Sequence, residues 1–342
     1  VRRAGGVLLV AVALLAVCAP WLTPHQPGDR FVDRAYAPPM PVHVIDAQGR
    51  WRAPFVYPVQ LADRLERRYE EDGTNPVTLQ WFAGGVVVGL GDDRDAPWLP
   101  LGADGSGRDV WARLLFGARL SLGVALVATL GSLLIGMVVG GVAGVMGGVT
   151  GDALMRFSDF VVVLPAMYVV LALRAALPLV LDTTTVFTLV AGILAVVGWP
   201  LVARGVRAIV AAERECEYAQ AARSLGMGPA RLLLRHLLPA AREHLATQAT
   251  LLLPGFILAE ATLSYVGLGF PDPAASWGSM LQEAASVAAI ADAPWTLTPA
   301  LAIFVVVLAV NLIVEAPEEA VVPGARVSAV GESGRVDGRS AA

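Results

Sequence analysis

The stretch EYAQAARSLGMGPARLLLRHLLP, Glu217 to Pro239, decides how the chain is read. It is an Arg-rich, water-compatible island between two long apolar runs. Tyr218, Ala221, Ala222 and Leu225 recur at helical spacing, while Glu213, Glu217, Gln220 and Arg223 occupy the other faces. Gly226 and Gly228 end that helix, and Pro229 suits the first turn of a second one, expected over Pro229 to Leu238 and stopped by Pro239. The small residues Ala221, Ala222 and Gly226 allow a close approach. Two readings fit: a helix pair that packs against a partner, or an amphipathic helix lying on lipid headgroups.

The surroundings set the scale. Of 342 residues, 56% are hydrophobic and 16% charged, with a mean hydropathy of +0.63, too apolar for a soluble domain of this length. All 25 basic residues counted as Lys or Arg are Arg, so the phosphate-binding Lys of a P-loop has no candidate and any ATP hydrolysis belongs to another subunit. The four His (His25, His43, His236 and His244) are scattered, no His or Cys pair has metal-ligand spacing, and no Ser has a GxSxG setting. Neither a catalytic nor a metal site is expected. Cys18 and Cys216 fall on opposite sides of the expected topology, so no disulfide is expected between them.

Ala4 to Leu22 is 19 residues without a charge, about 28 Å as a helix and enough to span a hydrocarbon core of roughly 30 Å. Arg2 and Arg3 before it favour a cytoplasmic N-terminus. Five further apolar runs follow, at Leu120 to Met146, Phe157 to Leu181, Val186 to Val202, Leu245 to Val266 and Trp295 to Val314. These runs are too long and too uniform for barrel strands, which leaves helices. Six crossings return the C-terminus to the inside and place the loop 204–243 there. That loop carries seven Arg against four Glu, as the positive-inside rule requires.

The expected fold class is therefore all-α: a polytopic membrane protein with six transmembrane helices and a small extracytoplasmic α+β insertion. The divisions are 1–22 for the first helix, 23–98 for the insertion, 99–315 for the five-helix core, and 316–342 for a tail whose composition predicts disorder. Within the insertion, VHVID and WRAPFVY flank a turn, as do VTLQWF and VVVGL, predicting two hairpins. QLADRLERRYEED, Gln60 to Asp72, reads as an exposed helix.

Several residues stand out inside the expected spans. Gly136, Gly140, Gly144 and Gly148 recur every four residues and put a small-residue face on one helix, suited to close helix packing, to a pore lining or to a hinge. Pro165, Pro200 and Pro254 should kink or end their spans. Glu260, with Ser264 one turn on, is an ionisable group within the fifth span. It is either a polar lining of a substrate path or half of a hydrogen bond that fixes helix packing. Arg156 and Asp159 are spaced to form an ion pair.

The opening stretch resembles the signature loop of binding-protein-dependent ABC importer permeases, written EAA, three residues, G, nine residues, I-x-LP. Here it is Gln220-Ala221-Ala222, Gly226 and Leu238-Pro239, with Gln220 in place of the Glu and His236 in place of the Ile. LGADGSGRDVWARLLFGARLSL (Leu101 to Leu122), WPLVARGVRAIVAAERECEYAQAARSLG (Trp199 to Gly226) and AEATLSYVGLGFPDPAASWGSML (Ala259 to Leu281) are similar to blocks of the dipeptide, oligopeptide and nickel branch. Together the blocks cover about Leu99 to Leu312.

The resemblance implies the type I importer permease fold and an ATPase-coupling loop carried by Glu217, Tyr218, Gln220, Ala221, Ala222, Leu225, Gly226 and Pro239. It also implies the partners: a second homologous permease, two cytoplasmic ATP-binding subunits that hold ATP and Mg²⁺, and an extracytoplasmic substrate-binding protein. No nucleic acid is implied, and the setting is the lipid bilayer of a bacterial or archaeal inner membrane, with both termini cytoplasmic. The cargo would be peptides, nickel or other small solutes. The alternative class is a stand-alone secondary transporter or channel. Two segments depart from the family pattern: Met40 to Pro97, which is longer than usual, and the tail after Leu312.

Overall fold

The computed structural model describes residues 2–46, 49–63, 67–82, 85–90, 97–165, 168–169, 172 and 181–314. Among the described residues, four helical segments are long and apolar enough to cross a membrane: Val110–Met146, Thr183–Arg214, Pro229–Tyr265 and Pro294–Val314. A shorter apolar helix, α1 (Arg2–Val17), precedes them and continues as the single turn α2 (Ala19–Leu22). The break at Cys18 falls two residues before Pro20, whose ring and missing N–H suit the start of a helix but not its interior.

Helix α3 (Val110–Met146) begins ten residues before the apolar run that predicts it, because Asp109 caps it: the Asp109 carboxylate accepts the Trp111 N–H at 2.9 Å. At 37 residues it is about 55 Å long. It runs alongside α5 (Thr183–Arg214), capped by Asp182 and continuing through Pro200 well past Val202. The first residues of the expected 204–243 loop are therefore helix.

Glycines make the α3–α5 contact possible. A Cβ at Gly136 would lie 2.5 Å from the Val202 Cβ, one at Gly140 would collide with the Ala203 carbonyl, and one at Gly144 would lie 2.7 Å from Val210. This is close backbone approach through small residues, the means of association available where lipid offers no hydrophobic drive. Gly148 does not join this face. Helix α3 stops at Met146, Gly147 and Gly148 take φ of +61° and +51°, and the chain turns into α4 (Gly148–Val163). A Cβ at Gly148 would meet nothing within 4 Å. The fourth glycine makes the bend that ends the ladder.

Helix α4 ends at Val163, two residues before Pro165, and the rest of the expected span to Leu181 lies largely outside the described residues. On α4, Asp159 meets Arg204 of α5 at 2.6 Å, and Asp152 meets Arg207 at 2.7 Å. The expected Arg156–Asp159 pair is replaced by a contact between helices, since packing brings Arg204 within reach of Asp159.

The opening stretch forms α6 (Glu217–Ser224) and α7 (Pro229–Leu232). Pro239 does not terminate the chain's helical course. A π-type turn at Leu233–Leu237 and a 3₁₀ turn at Leu238–Ala241 absorb the proline and lead into α8 (Arg242–Tyr265), which itself runs through Pro254. Beyond α8 come α9 (Trp277–Ala284), α10 (Val287–Asp292) and α11 (Thr298–Val314). Helix α1 packs antiparallel to α11: a Cβ at Gly5 would lie 2.5 Å from the Ala309 carbonyl. The main core joins α3, α5, α8 and α11 through residues such as Val124, Leu194, Val206, Ile257 and Val306.

Between α2 and α3 lies the β-structure. Strands β1 (His43–Ile45), β2 (Trp51–Val56), β5 (Val77–Trp81) and β6 (Val88–Leu90) form an antiparallel sheet in the order β1-β2-β5-β6. The two expected hairpins are its outer pairs. The expected Gln60–Asp72 helix is instead a hairpin of β3 (Val59–Asp63) and β4 (Arg68–Glu71), with Leu61 opposite Tyr69. Its ends are held by tertiary contacts that outweigh local helix propensity. Val59 is buried with Met40 and Leu99, and the Tyr69 hydroxyl donates to the Ala35 carbonyl at 2.7 Å.

Candidate functional site

The site begins with how α6 is held. Its C-terminus closes in a Schellman motif: the Met227 N–H donates to the Ala222 carbonyl at 3.1 Å and the Gly226 N–H to Arg223 at 2.8 Å. The motif needs a left-handed residue after the cap, and Gly226 supplies it with φ of +85°. Inward, Ala219 is fully buried, and Ala222 and Met227 pack on a core that includes Leu232, Leu237 and Ala241. Ala219 was not among the residues singled out by spacing. It lies three residues before Ala222, so of the Tyr218, Ala221, Ala222 and Leu225 stripe only Ala222 shares the buried face, and the other three are exposed.

Outward, the surface is apolar and open. Leu225 is 88% exposed, Ala221, Gly226, Gly228 and Pro229 are exposed, and a Cβ added at Gly226 or Gly228 would meet nothing within 4 Å. Glu217, Gln220 and Pro239 are also exposed. Gln220 uses its amide locally: Nε2 donates to the Glu215 carbonyl at 2.9 Å, bracing the turn between α5 and α6. A carboxylate could not donate there.

Tyr218 braces the same turn by donating to Glu213, and that bond to a carboxylate pushes its phenol up to about 12. Its ring lies 6.3 Å from that of His236. At the foot of the turn, Arg214 donates to the Gly144 and Val145 carbonyls at 3.3 and 3.1 Å, satisfying the last turn of α3. The loop is thus wired to the ends of both long helices.

Glu260 and Ser264 face the interior of the subunit. Glu260 is fully buried, and the Ser264 hydroxyl donates to its Oε1 at 2.7 Å. Ser121 of α3 and Ser276, the N-cap of α9, lie beside the carboxyl group. The Ser121 hydroxyl also accepts the Trp277 N–H at 3.2 Å. Close approach of α9 is again a glycine matter, since a Cβ at Gly278 would meet the Ala261 carbonyl and Ser264.

At the opposite end of the bundle from α6, the blocks Leu101–Leu122 and Ala259–Leu281 meet around buried arginines. Arg108 donates to Asp104, Asp272 and Glu283 at 2.8, 2.6 and 2.6 Å. Arg113 donates to Asp104 and, through Nη2, to Glu283 at 2.9 Å. Burial would raise the Asp104 carboxyl, but Arg113, the Arg108 N–H and the Arg108 charge overcome that and hold it below the ordinary 3.8. This network was missed as a site. Its members all lie in or next to the quoted blocks, but nothing in their spacing says that residues 104 and 283 touch.

Residues 133–327 match the family described as the binding-protein-dependent transport system inner membrane component, and residues 3–39 match the N-terminal TM domain of oligopeptide transport permease C. A protein of Brucella ovis named as a peptide permease is 39% identical over 228 residues, covering 66% of this chain and 74% of that one. A Brucella suis protein named as a peptide transport system permease is 30% identical over 312 residues, 91% of this chain and 83% of its own. The oligopeptide transport system permease protein OppC of Bacillus subtilis is 35% identical over 196 residues, 57% of this chain and 62% of its own. The quoted blocks, the membrane-length helices and these matches agree: the chain belongs to the family of inner membrane components of binding-protein-dependent transport systems and is a multi-pass ABC transport permease.

Proposed function

We infer that this chain is one of two homologous permeases in an ABC importer that moves peptides or similar small solutes into the cell. The observation that carries the reading is α6. It is anchored to its own bundle by Ala219, Ala222 and Met227, yet holds Leu225 and Gly226 out as an apolar surface that none of the described residues covers. A partner ATPase that received this helix in a cleft would transmit its closure through Arg214 and the ends of α3 and α5. ATP and Mg²⁺ would sit on two such ATPase subunits, because this chain has no Lys for a P-loop. An external binding protein would deliver the cargo, and the names carried by the relatives favour peptides.

In this reading the chain crosses the membrane six times, with α1 and the partly described Phe157–Leu181 run as two of the crossings. Both termini lie inside, and the β-structure lies outside. The arginine-rich 204–243 segment on the same side as Arg2 and Arg3 supports that orientation. Purified with a neighbouring ATPase and binding protein and reconstituted in proteoliposomes, the permease should show ATP-dependent, binding-protein-stimulated uptake. Uptake that instead followed an ion gradient and ignored ATP would establish the stand-alone transporter class and overturn the assignment.

Within that scheme Glu260 is a packing residue. The support is its complete enclosure among Ser121, Ser264 and Ser276. Glu260→Gln keeps an oxygen for the Ser264 hydroxyl, so uptake should stay within about threefold of wild type, a change of less than 1 kcal/mol. A Glu260→Gln variant with an unchanged thermal midpoint and no uptake would assign the residue to the substrate path.

A further inference from the structure

The β5–β6 hairpin ends in aromatic residues where the chain emerges from the bundle. Trp21 is 55% exposed at the close of α2. Its carbonyl accepts the Val87 N–H at 2.7 Å, and the Val87 carbonyl accepts the Phe82 N–H at 3.0 Å. Phe82 is therefore one ladder rung from Trp21. It is 79% exposed, and Trp81 beside it is 57% exposed. No described residue covers them.

Two further observations say what does. First, other tryptophans mark the same level of the bundle. Trp111 at the start of α3 donates its indole N–H to the Leu22 carbonyl at 3.3 Å, and Trp295, just ahead of α11, donates to Ala103 at 3.0 Å. Indoles gather where helix ends pass from hydrocarbon into headgroups, because one part of the ring is apolar and the N–H needs a partner. Second, Phe82 sits at φ of +55°, a backbone conformation that suits Gly or Asn. The turn carries a bulky aromatic where the backbone disfavours one, and the ring projects outward.

We propose that Trp21, Trp81 and Phe82 form a membrane-surface anchor, with the β5–β6 hairpin laying its aromatic end into the headgroup region of the bilayer. The occupant is a lipid surface because the hairpin is hydrogen-bonded directly to the end of an apolar helix that packs along the membrane-length α11. The sheet is thereby held at a set height over the bundle. Residues 40–97 lie outside both family matches, while the match to the Brucella suis relative, over 91% of this chain, runs through them.

The test uses the full chain with Cys18 and Cys216 replaced, carrying a nitroxide at Phe82→Cys or Trp81→Cys. The control is Gly73→Cys, an exposed turn position with open surroundings. In vesicles of phosphatidylethanolamine and phosphatidylglycerol, the labels at 82 and 81 should collide with dissolved oxygen more often than the control, and several-fold less often with a water-soluble nickel chelate. Nickel access equal to that of Gly73→Cys would place the rings in water and overturn the proposal. Shielding from both reagents would place them against protein and overturn it equally. Two labelled positions keep the answer readable if one variant does not fold.

Discussion

Leu225→Asp is expected to lower binding-protein-stimulated ATP hydrolysis of the reconstituted transporter by at least about tenfold, a loss of about 1.4 kcal/mol or more in coupling. Folded yield and thermal midpoint should not change. The separation of the two readouts follows from the geometry. Leu225 is 88% exposed, so its replacement is a surface change worth within about 0.5 kcal/mol to the fold. In a docked complex the same side chain would be buried, and a carboxylate there would be desolvated without a partner.

Gly226 gives an internal control on the shape of the turn. Its φ of +85° is tolerated by Asn and strongly disfavoured for a β-branched residue, while space around it is open. Gly226→Asn should retain most coupling and Gly226→Val should lose it, although both add bulk to the same surface. Normal coupled hydrolysis in Leu225→Asp would remove α6 from the energy path.

Arg113→Met is expected to destabilise the permease by about 3–5 kcal/mol, read as a lowered thermal midpoint in detergent and reduced folded yield. Methionine retains much of the packing volume. What it removes is the charge that faces Asp104 and Glu283 inside the protein, since Arg113 is 1% exposed. Arg108 still reaches both carboxylates, which places the loss nearer the lower figure. Glu283→Gln should cost less, because Glu283 is 35% exposed and water can replace part of its role. An Arg113→Met protein as stable as wild type would mean that Arg108 alone satisfies the cluster. The network ties the loop before α3 to α9, two segments about 170 residues apart, so its loss should loosen that end of the bundle first.

Features set by local chemistry are legible in the sequence, and features set by distant contacts are not. The apolar runs, the Gly136–Gly140–Gly144 face and the turn at Gly226 were legible because hydrophobic span length, four-residue spacing and left-handed glycine are local properties. Both hairpins flanking β2 and β5 were legible for the same reason. The β3–β4 hairpin was not: Gln60 to Asp72 has helical character locally, and it becomes strand because Val59 and Tyr69 find partners 20 to 40 residues away. Gly148 belonged to the spacing but not to the helix, which had already ended at Met146. Pro239 belonged to the stop signals, yet a π-type and a 3₁₀ turn carried the chain through it.

By itself, then, the sequence determined that this chain lives in a membrane, that its 342 residues offer no Lys for a P-loop, and that Glu217 to Pro239 is a helix, a glycine turn and a second helical segment. Those conclusions rest on composition and on contacts within a few residues, where the chain's own chemistry leaves few choices. Only the tertiary structure decided which side of α6 faces the bundle, that Asp159 answers to Arg204, and that Asp104 and Glu283 share two arginines. Each of those depends on where a distant element arrives. One register or one turn of helix would have paired other residues, and nothing local distinguishes the alternatives until the helices pack.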